Sequence, residues 1–230
     1  MEISKRLKTV AGEVRYRTVV DIGTDHGYVP IYLVKNKLAD SAIACDINKG
    51  PLLKAKQNIE ANCLLGKIET RLGSGLIPIE IGEVETAVIA GMGGMLTIEI
   101  LKAGGDVVQS LKQLVLQPQL DIDSVRKYIH TIGFKIENEQ MLIDDGKYYT
   151  VINAVHGEEK TYDQCQYMFG KVNLDKKSDV LKKYLMHRLG KLTEIKDGLE
   201  KSGTENSMKK LNEIENEIRV FEEALKAYEM

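Results

Sequence analysis

A short segment near the N-terminus carries acidic residues and glycines in an order typical of a loop that holds a small ligand. The apolar run 18–22 includes Asp21 and is followed by Gly23 and Asp25, before Pro30 opens a helical stretch. Glycine lets the backbone approach a ligand closely. The free N–H groups and the positive dipole end of the helix N-terminus would face the same ligand. The segment therefore predicts a strand, a ligand-binding turn and a helix, in that order.

Asp25 restricts the kind of ligand that this loop can take. In a dinucleotide-binding fingerprint the corresponding position is the middle glycine, and the loop takes up a pyrophosphate. A carboxylate there would repel a pyrophosphate, but it tolerates a ligand with an ammonium and a sulfonium, so the loop favours S-adenosylmethionine over NAD. Of the four histidines only His26 lies in this loop, and their spacing indicates neither a metal site nor a Ser-His-Asp arrangement.

Asp46 is a second candidate cofactor residue. It ends the apolar run 42–46, 23 residues after Gly23, where a carboxylate can accept hydrogen bonds from both ribose hydroxyls of a cofactor. NAD and S-adenosylmethionine share this ribose, so Asp46 indicates a nucleoside cofactor without distinguishing the two. A helix cap is the alternative role for an aspartate at the end of a strand.

Two further glycine-rich loops follow later predicted strands. The loop after strand 68–72 consists of Gly73, Ser74, Gly75 and Leu76. It could lie along an adenine ring, with its leucine as an apolar contact, or it could be an ordinary turn. The loop after strand 87–90 contains Ala90, Gly91, Met92, Gly93 and Gly94. Ligands of α/β folds bind at the carboxyl ends of the strands, and so many glycines there would leave room for a flat base beside a transferable methyl group.

The order of the predicted elements indicates the fold. Five short apolar runs alternate with helical segments up to Gly133, which predicts a mostly parallel sheet with helices on both faces. The rhythm then changes, because 134–143 and 148–155 are two strand-like runs joined through the turn residues Asp145 and Gly146. A dehydrogenase sheet normally finishes with a parallel strand. The pattern therefore predicts the α/β, Rossmann-like sheet of class I methyltransferases, with parallel strands ending in an antiparallel hairpin.

The last third of the chain predicts a helical domain. Residues 158–170 are polar and are interpreted as a linker or cap, and residues 201–204 interrupt two apolar stripes at helical spacing. Two such stripes favour an antiparallel helical hairpin with a coiled-coil-like seam. They consist of Leu181, Leu185, Leu189, Leu192, Ile195 and Leu199, then Met208, Leu211, Ile214, Ile218, Phe221, Leu225 and Tyr228. We therefore expect a cofactor-binding catalytic domain over 1–157 and a helical hairpin over 158–230.

Composition and charge limit the classes of protein to be considered. No apolar run is long enough to cross a membrane, and the N-terminus lacks the apolar core of a signal peptide, so we expect a cytoplasmic protein. The three cysteines, Cys45, Cys63 and Cys165, match no zinc motif, and we expect them to be reduced and packed as small hydrophobic residues.

Positive charge is concentrated in one part of the chain. The net charge is only −2, but residues 171–191 hold seven Lys or Arg against two Asp. Such a basic segment could face phosphates or be a solvated helix face.

These motifs together resemble those of the bacterial tRNA (adenine(22)-N1)-methyltransferase family, also called TrmK. The resemblance runs in order through nearly the whole chain and is most specific in the Asp25-His26 pair and the run 90–94. It rests on residues 4–7, 21–30, 73–76, 89–94, 116–118 and 144–149. The chain departs from the family pattern at Ser74, where an acidic residue is usual, and at Gly27, where alanine is common.

The resemblance implies an enzyme that uses S-adenosylmethionine to methylate N1 of adenine 22 in tRNA, with a catalytic role for Asp25. It also implies that the glycine-rich loops hold the cofactor. The expected cofactor-binding residues are Asp21, Gly23, Asp25, His26, Asp46, Gly73, Gly75, Leu76, Ala90, Gly91, Met92 and Gly93.

Two groups of side chains are expected to contact the tRNA. Tyr28 and Met92 are candidates for stacking on the adenine, which must be unpaired or flipped out because its N1 lies on the Watson–Crick edge. Basic residues would hold phosphates, which positions the RNA without reading its sequence. These basic residues are Lys5, Arg6, Lys8, Arg15 and Arg17, together with Lys182, Lys183 and Arg188 of the basic segment.

The sequence leaves the oligomeric state open between a monomer and a homodimer, because the helical seam could close on itself or on a second subunit.

Three alternatives remain open at the level of the sequence. A methyltransferase of the same fold could act on another RNA or on a small amine, because a fold does not fix a function. An NAD-dependent oxidoreductase is less favoured, because Asp25 occupies the glycine loop. A non-enzymatic scaffold built on the helical hairpin would leave the glycine loops without a role.

Overall fold

A seven-stranded sheet organises the first part of the chain. The computed structural model describes residues 2–202 and 205–229. The strands are β1 (Thr18–Ile22), β2 (Ser41–Asp46), β3 (Ile68–Leu72), β4 (Thr86–Met92), β5 (Gln113–Pro118), β6 (Phe134–Asp144) and β7 (Lys147–His156). Their order across the sheet is β3-β2-β1-β4-β5-β7-β6. Strands β1 to β5 are parallel, and β7 is antiparallel to both β5 and β6. The predicted sheet, parallel strands ending in an antiparallel hairpin, is confirmed.

Helix α1 precedes the first strand, and the other helices of this part of the chain connect the strands. They are α1 (Lys5–Gly12), α2 (Tyr28–Lys35), α3 (Lys49–Ala61), α4 (Gly94–Ser110) and α5 (Ile122–Thr131). The central strands carry continuous apolar runs because both of their faces are buried, and β5 is buried at every position. The β6–β7 hairpin turns at Asp145 and Gly146, whose φ angles of 48° and 70° match a two-residue turn with a left-handed backbone.

One strand extends beyond its predicted end, and the helix after it is irregular. Helix α4 continues to Ser110, with a non-helical residue, Gly105, inside it. Strand β4 was expected to end at residue 90 but continues to Met92, past a shift in its register with β5. Gly91 lies at that shift with a φ of 83°, a backbone conformation that favours glycine.

A buried carboxylate anchors the end of α1 to the sheet. Glu13 follows the helix and is 4% exposed. Its carboxylate accepts hydrogen bonds from the side-chain amides of Asn138 (2.8 Å), Asn153 (3.1 Å) and Gln140. Its backbone carbonyl accepts another from the amide of Gln113 at 2.7 Å. Because a buried charge must be matched by hydrogen bonds, this network fixes the position from which α1 approaches the carboxyl edge of the sheet.

The chain divides into two compact units, Met1–Lys160 and Thr161–Met230, and the second unit is helical. Its helices are α6 (Gln164–Phe169), α7 (Lys171–Asp175), α8 (Asp179–Ser202) and α9 (Glu205–Lys226). The interpretation of 158–170 as only a linker or cap is wrong for α6. Asp163 and Gln166 form a reciprocal capping box that starts this helix, and Phe169 packs edge-on against Phe221.

The two long helices of the second unit run antiparallel, as predicted. The Tyr228 hydroxyl donates to the backbone carbonyl of Ser178 at 3.1 Å, so the end of α9 meets the beginning of α8. Further along, Lys196 pairs with Glu215 at 2.9 Å. Five residues of the predicted apolar stripes are buried, whereas Ile195 and Met208 are 45% and 65% exposed. The buried residues are Leu181, Leu185, Leu192, Ile214 and Phe221. Of the predicted break at 201–204, Gly203 and Thr204 lie outside the described residues.

Two classes of feature are absent from the part of the chain that the structure describes. None of its helices combines the length and the apolar character needed to cross a bilayer. No group of three or more His, Cys, Asp or Glu side chains there is placed to hold a metal ion.

Candidate active site

The turn after β1 is held by hydrogen bonds to neighbouring elements. The amides of Gly23 and Thr24 donate to the carbonyl oxygen of Cys45 at 2.8 and 2.9 Å. The Asn58 side chain donates to the carbonyl of His26 at 2.9 Å. Gly23 has a φ of 71° and Asp25 a φ of 47°. A left-handed conformation at a non-glycine residue is uncommon and is typical of functional loops.

This turn forms one wall of a cavity of about 540 Å³ at the carboxyl edge of the sheet. The segment before α1 and its first turn form a second wall, and the end of β4 with the loop after β5 forms a third. The structure brings Asp21, Gly23, Asp25, Tyr28, Ala90 and Gly91 together around the cavity, and Arg6 and Gln119 also line it. Six of the residues selected from the sequence, drawn from two separate segments, therefore share one site, and Arg6 joins them from a third.

Asp21 is a buried carboxyl group in the cavity wall. It is 5% exposed, and the Thr24 hydroxyl donates to its Oδ2 at 2.7 Å. Burial raises the pKa of Asp21 from its ordinary value of 3.8 to about 7. The Thr24 hydrogen bond lowers this pKa, and the charge of Asp46 raises it further. Asp21 can therefore hold or release a proton near neutral pH.

Asp25 and His26 form a more exposed part of the loop. The Asp25 side chain is 69% exposed, and its Oδ2 lies 3.5 Å from His26 Nε2. The His26 ring stacks on the ring of Tyr28, with centroids 5.2 Å apart and planes 13° apart. Tyr28 is thus oriented by a ring contact and lines the cavity, whereas His26 supports this arrangement from outside the lining.

Asp46 lies close to the turn but outside the cavity lining. Its backbone carbonyl accepts from the amide of Gly73 at 3.0 Å, and its Oδ1 accepts from the amide of Asn48 at 2.8 Å. Asn48 precedes α3, so this carboxylate also organises the start of a helix. Its second oxygen has no hydrogen-bond partner among the described contacts of Asp46, which leaves it available for a ribose hydroxyl.

The loop after β3 has a stronger structural role than the sequence suggested. Gly75 has a φ of 55°, and a Cβ atom there would lie 3.0 Å from Ile100 of α4. Leu76 is fully buried and packs against Gly104. Its side chain therefore points into the core, so the structure does not bring it to the cavity as an adenine contact. Gly73 and Gly75 also do not line the cavity.

The glycine loop after β4 is locked to the loop after β5. The Gln119 amide donates to the Met92 carbonyl at 2.8 Å, and the Gly94 amide donates to the Leu120 carbonyl at 2.9 Å. A Cβ atom at Gly94 would lie 2.4 Å from that same Leu120 oxygen. Only glycine permits this approach, so the two loops have a defined relative position.

Three exposed apolar side chains lie where the first turn of α4 meets the loop after β5. Met95, Leu96 and Leu120 are 52%, 48% and 67% exposed, and the Gly94–Leu120 hydrogen bond brings their backbones together. We call these three residues the apolar rim. An exposed apolar patch beside a cavity is typical of a surface that contacts a partner or substrate.

Met92 faces the turn after β1 and is only partly exposed. Its terminal Cε would lie 2.2 Å from a Cβ atom on Gly23, so the side chain covers the glycine directly. Gly93 adjoins it but does not line the cavity. Met92 therefore joins two of the predicted loops, and it must shift if a base is to stack on it.

The predicted basic residues differ in their surroundings. Lys5 and Lys8 are exposed on α1. Arg15 pairs with Glu137, and Arg17 pairs with Asp40 at 2.6 Å, so these two charges are already compensated. In the second unit Lys182 and Lys183 are exposed, whereas Arg188 lies 3.4 Å from Glu217.

Sequence reasoning missed several residues of the site. Thr24 supports Asp21, and Gln119 lines the cavity. Gln117 is fully buried and accepts a hydrogen bond from Arg6 at 2.6 Å. A glutamine inside the apolar run of β5 was the available signal, because a buried amide requires partners. The identity of that partner could not be read from the sequence.

Comparisons with known proteins identify the family to which this chain is similar. Residues 19–223 match the family described as TrmK, tRNA (adenine(22)-N(1))-methyltransferase. The chain is 34% identical over 235 residues to the tRNA (adenine(22)-N(1))-methyltransferase of Bacillus subtilis, covering 98% of both chains.

Solved structures give the same result. The structure of M. capricolum TrmK in complex with S-adenosyl-homocysteine is similar, with a TM-score of 0.85 and 27% identity, covering 99% of both chains. The Streptococcus pneumoniae protein Sp1610 in complex with S-adenosyl-L-methionine has a TM-score of 0.86 and 31% identity, covering 97% of this chain and 100% of that one. With these similarities over nearly its full length, the chain belongs to the TrmK family of tRNA (adenine(22)-N(1))-methyltransferases.

Proposed function

We propose that this protein transfers a methyl group from S-adenosylmethionine to N1 of adenine 22 in tRNA. The observation that carries the proposal is the cavity at which the acidic turn after β1 meets the glycine loop after β4. The family match supports a methyltransferase over the NAD-dependent alternative. A tRNA substrate also supports a cytoplasmic location.

The cavity lining fits this cofactor in charge. Gly23 has a φ of 71°, a backbone conformation that favours glycine. Asp21 and Asp25 supply carboxylates that complement an ammonium and a sulfonium. Asp46 stands at the end of the neighbouring strand, where it would accept the ribose hydroxyls. When bound, S-adenosylmethionine supplies an electrophilic methyl group, and the protein's task is to position the acceptor nitrogen in line with it.

Asp25 is the proposed catalytic residue. Adenine N1 has a lone pair in the ring plane and needs no obligatory deprotonation, but the ring becomes cationic as it is methylated. A carboxylate beside the base would stabilise that developing charge and could accept a hydrogen bond from the exocyclic amine. Asp25 is suited to this role because it lines the cavity while remaining 69% exposed, so an entering base can reach it.

The route of the base is proposed to pass the glycine loop after β4. Gly91 is exposed at the cavity and leaves space for a planar ring, and Tyr28 offers an oriented aromatic face. The apolar rim lies next to this opening and would contact the bases beside the flipped adenine. Flipping costs a few kcal/mol, and such contacts would offset part of that cost.

Phosphate contacts are proposed for exposed cations, among them Lys5 in the first unit and Lys182 and Lys183 in the second. Domain 1–157 would then bind the cofactor and perform the transfer, and domain 158–230 would contact the tRNA. The basic segment 171–191 supports this division, because segregated positive charge attracts phosphates.

A transfer assay with matched tRNAs tests the proposal. Labelled S-adenosylmethionine is incubated with an unmodified tRNA transcript that has adenine at position 22 and with the same transcript carrying guanine there. We expect label only in the first. Equal label in both would assign the activity to another position, and no label in either, with cofactor bound, would point to another substrate.

The Asp25→Asn variant tests the catalytic assignment. Asparagine tolerates the left-handed backbone of Asp25 and removes only the charge. We expect the single-turnover methylation rate to fall by about 100-fold, the lower end of the effect of losing one electrostatic stabiliser, with little change in cofactor affinity. An unchanged rate would remove Asp25 from the mechanism.

A further inference from the structure

The backbone of Gln119 is held in a defined position in the cavity wall. Its N–H donates to the Met92 carbonyl at 2.8 Å, and the carbonyl of the next residue, Leu120, accepts from the Gly94 amide at 2.9 Å. These two hydrogen bonds join the loop after β5 to the glycine loop after β4. The fold therefore fixes the point from which the Gln119 side chain extends, although the residue itself is exposed.

The side-chain amide of Gln119 lies beside the glycine loop after β4. Its Nε2 is 3.8 Å from the position of a Cβ atom on Gly91, and both residues line the cavity. Within residues 2–202 and 205–229, no hydrogen bond engages this amide. Gln117, by contrast, is fully buried and accepts from Arg6. A primary amide has two N–H donors and a carbonyl acceptor, so Gln119 offers all of them to a ligand beside Gly91.

An amide beside a planar base distinguishes adenine from the other bases. Adenine presents the N7 acceptor next to the N6 amino donor, and a glutamine amide pairs with both at once. Guanine presents two acceptors there, N7 and O6, so the glutamine oxygen would face an oxygen. Pyrimidines have no N7. The free amide of Gln119 is therefore complementary to the N6–N7 edge of adenine.

The charge of the cavity favours a base over a phosphate as the ligand of this amide. The described part of the lining carries three carboxyl groups, those of Glu2, Asp21 and Asp25, against the single guanidinium of Arg6. Carboxylates would repel a phosphate. The adjacent apolar rim suits the flat face of a base. A neutral, planar ligand with hydrogen-bonding groups on its edge therefore fits the surroundings of Gln119.

We infer that Gln119 is a specificity-determining residue that binds the N6–N7 edge of the adenine to be methylated. This assignment rests on the proposed function. Gln119 Nε2 donates to adenine N7, and Oε1 accepts from the N6 amine on the side away from N1. Asp25, which also lines the cavity, accepts the other amino hydrogen. The two side chains then hold the exocyclic amine between them and leave N1 open towards the methyl group.

Replacement of one atom of the base tests the inference. Two tRNAs are compared that carry adenine or 7-deazaadenine at position 22; the second base keeps N1 and the N6 amine but has C–H in place of N7. The kcat/KM for each tRNA is measured at saturating S-adenosylmethionine, and the adenine value is divided by the 7-deazaadenine value for each protein. The intrinsic reactivity of the bases is the same for every protein, so a change in this ratio reports a contact with N7.

The variant Gln119→Ala removes both hydrogen bonds to the base. We expect it to lower kcat/KM for the adenine tRNA by about 25-fold, because each bond contributes about fivefold. Its ratio should be about fivefold smaller than that of the wild type, because it has no N7 contact to lose. Gln57→Ala, at an exposed glutamine of α3 outside the cavity lining, is the control and should keep the wild-type kcat/KM and ratio.

A second variant keeps the acceptor of Gln119 and removes its donor. In Gln119→Glu the carboxylate can still accept from the N6 amine, but it faces the lone pair of adenine N7, a repulsion that 7-deazaadenine lacks. The ratio should therefore fall below that of Gln119→Ala. Thermal melts establish that each variant folds, and the saturating cofactor removes any effect of the new charge on cofactor binding.

Equal ratios in the wild type and in Gln119→Ala would overturn the inference, even if the substitution lowers kcat/KM. A structural or phosphate-binding role of Gln119 would lower kcat/KM for both tRNAs alike, without distinguishing N7 from C–H. If the wild type methylates the adenine tRNA but the ratios are equal, the inference alone fails. If the wild type does not methylate the adenine tRNA, the proposed function fails and this inference fails with it.

Discussion

Replacing Asp21 with asparagine should stabilise the ligand-free protein at pH 8 and weaken its binding of S-adenosylmethionine. The pKa of Asp21 is raised by burial to about 7 from an ordinary value of 3.8. Below pH 3.8 the carboxyl group is protonated in both the folded and the unfolded chain and contributes nothing. Between pH 3.8 and 7 the unfolded chain loses the proton first, so the free energy of unfolding falls as pH rises. Above pH 7 the loss is complete.

The size of the effect follows from the two pKa values. At about 1.36 kcal/mol per pH unit, their separation corresponds to a loss of about 4 kcal/mol above pH 7. Asparagine removes this loss and can still accept the hydrogen bond from Thr24, but its buried amide donors cost about 1–3 kcal/mol if they lack partners. The variant should therefore be more stable than the wild type by about 1–3 kcal/mol at pH 8, and less stable near pH 4.

Thermal melts of ligand-free protein at several pH values between 4 and 8 measure this difference. Each kcal/mol corresponds to about 2–4 °C for a chain of this size. Asp25→Asn is the matched control: it removes a charge from the same loop, but that side chain is 69% exposed, so no comparable gain in stability is expected. A difference between wild type and Asp21→Asn that does not grow with pH would refute the reasoning.

The same titration should appear in cofactor binding. If the ionised form of Asp21 meets the cationic cofactor, affinity should rise with pH up to about 7 and then level off, with up to tenfold gained per pH unit below the pKa. Asp21→Asn should lose both the affinity and its pH dependence. The ionised carboxylate that destabilises the free protein would then be the group that binds the cofactor.

Two further variants test how the tRNA is held. Leu120→Ala should lower kcat/KM for tRNA about fivefold, because partial burial of an exposed leucine against a base is worth about 1 kcal/mol. Ile81→Ala is the control, because this side chain is also 67% exposed, and it should leave kcat/KM unchanged. An equal loss in both variants would refute a special role for the apolar rim. The double variant Lys182→Gln, Lys183→Gln should raise the Kd for tRNA and reduce the slope of log Kd against log salt by about 1–2, because two phosphate contacts are removed. An unchanged slope would separate these lysines from tRNA binding.

The elements of the fold could be predicted because their physical causes are local. Strands such as Thr18–Ile22 are buried on both faces and therefore appear as continuous apolar runs. The hairpin at Asp145 and Gly146 follows from residues that accept a left-handed backbone. Helix α6 was missed because its start depends on Asp163 and Gln166 in an otherwise polar stretch, a signal too short to stand out from a linker.

The site was less predictable because side-chain direction depends on distant contacts. Leu76 follows a glycine loop, but packing against Gly104 turns its side chain into the core. Arg6 belongs to a basic N-terminal segment, yet Gln117 and Tyr149, more than 100 residues away in sequence, orient it beside the cavity. No periodicity or spacing in the sequence reports such pairings, whereas the glycine turns depend on local backbone geometry and could be recognised.

Nucleoside analysis of the methylated tRNA tests the central claim most directly. An unmodified transcript with adenine 22 is methylated, digested and examined by mass spectrometry, with the position mapped by reverse-transcription stops. We predict 1-methyladenosine at position 22. N6-methyladenosine, or 1-methyladenosine at another position, would contradict it, because the proposed cavity presents N1 of that adenine to the methyl group.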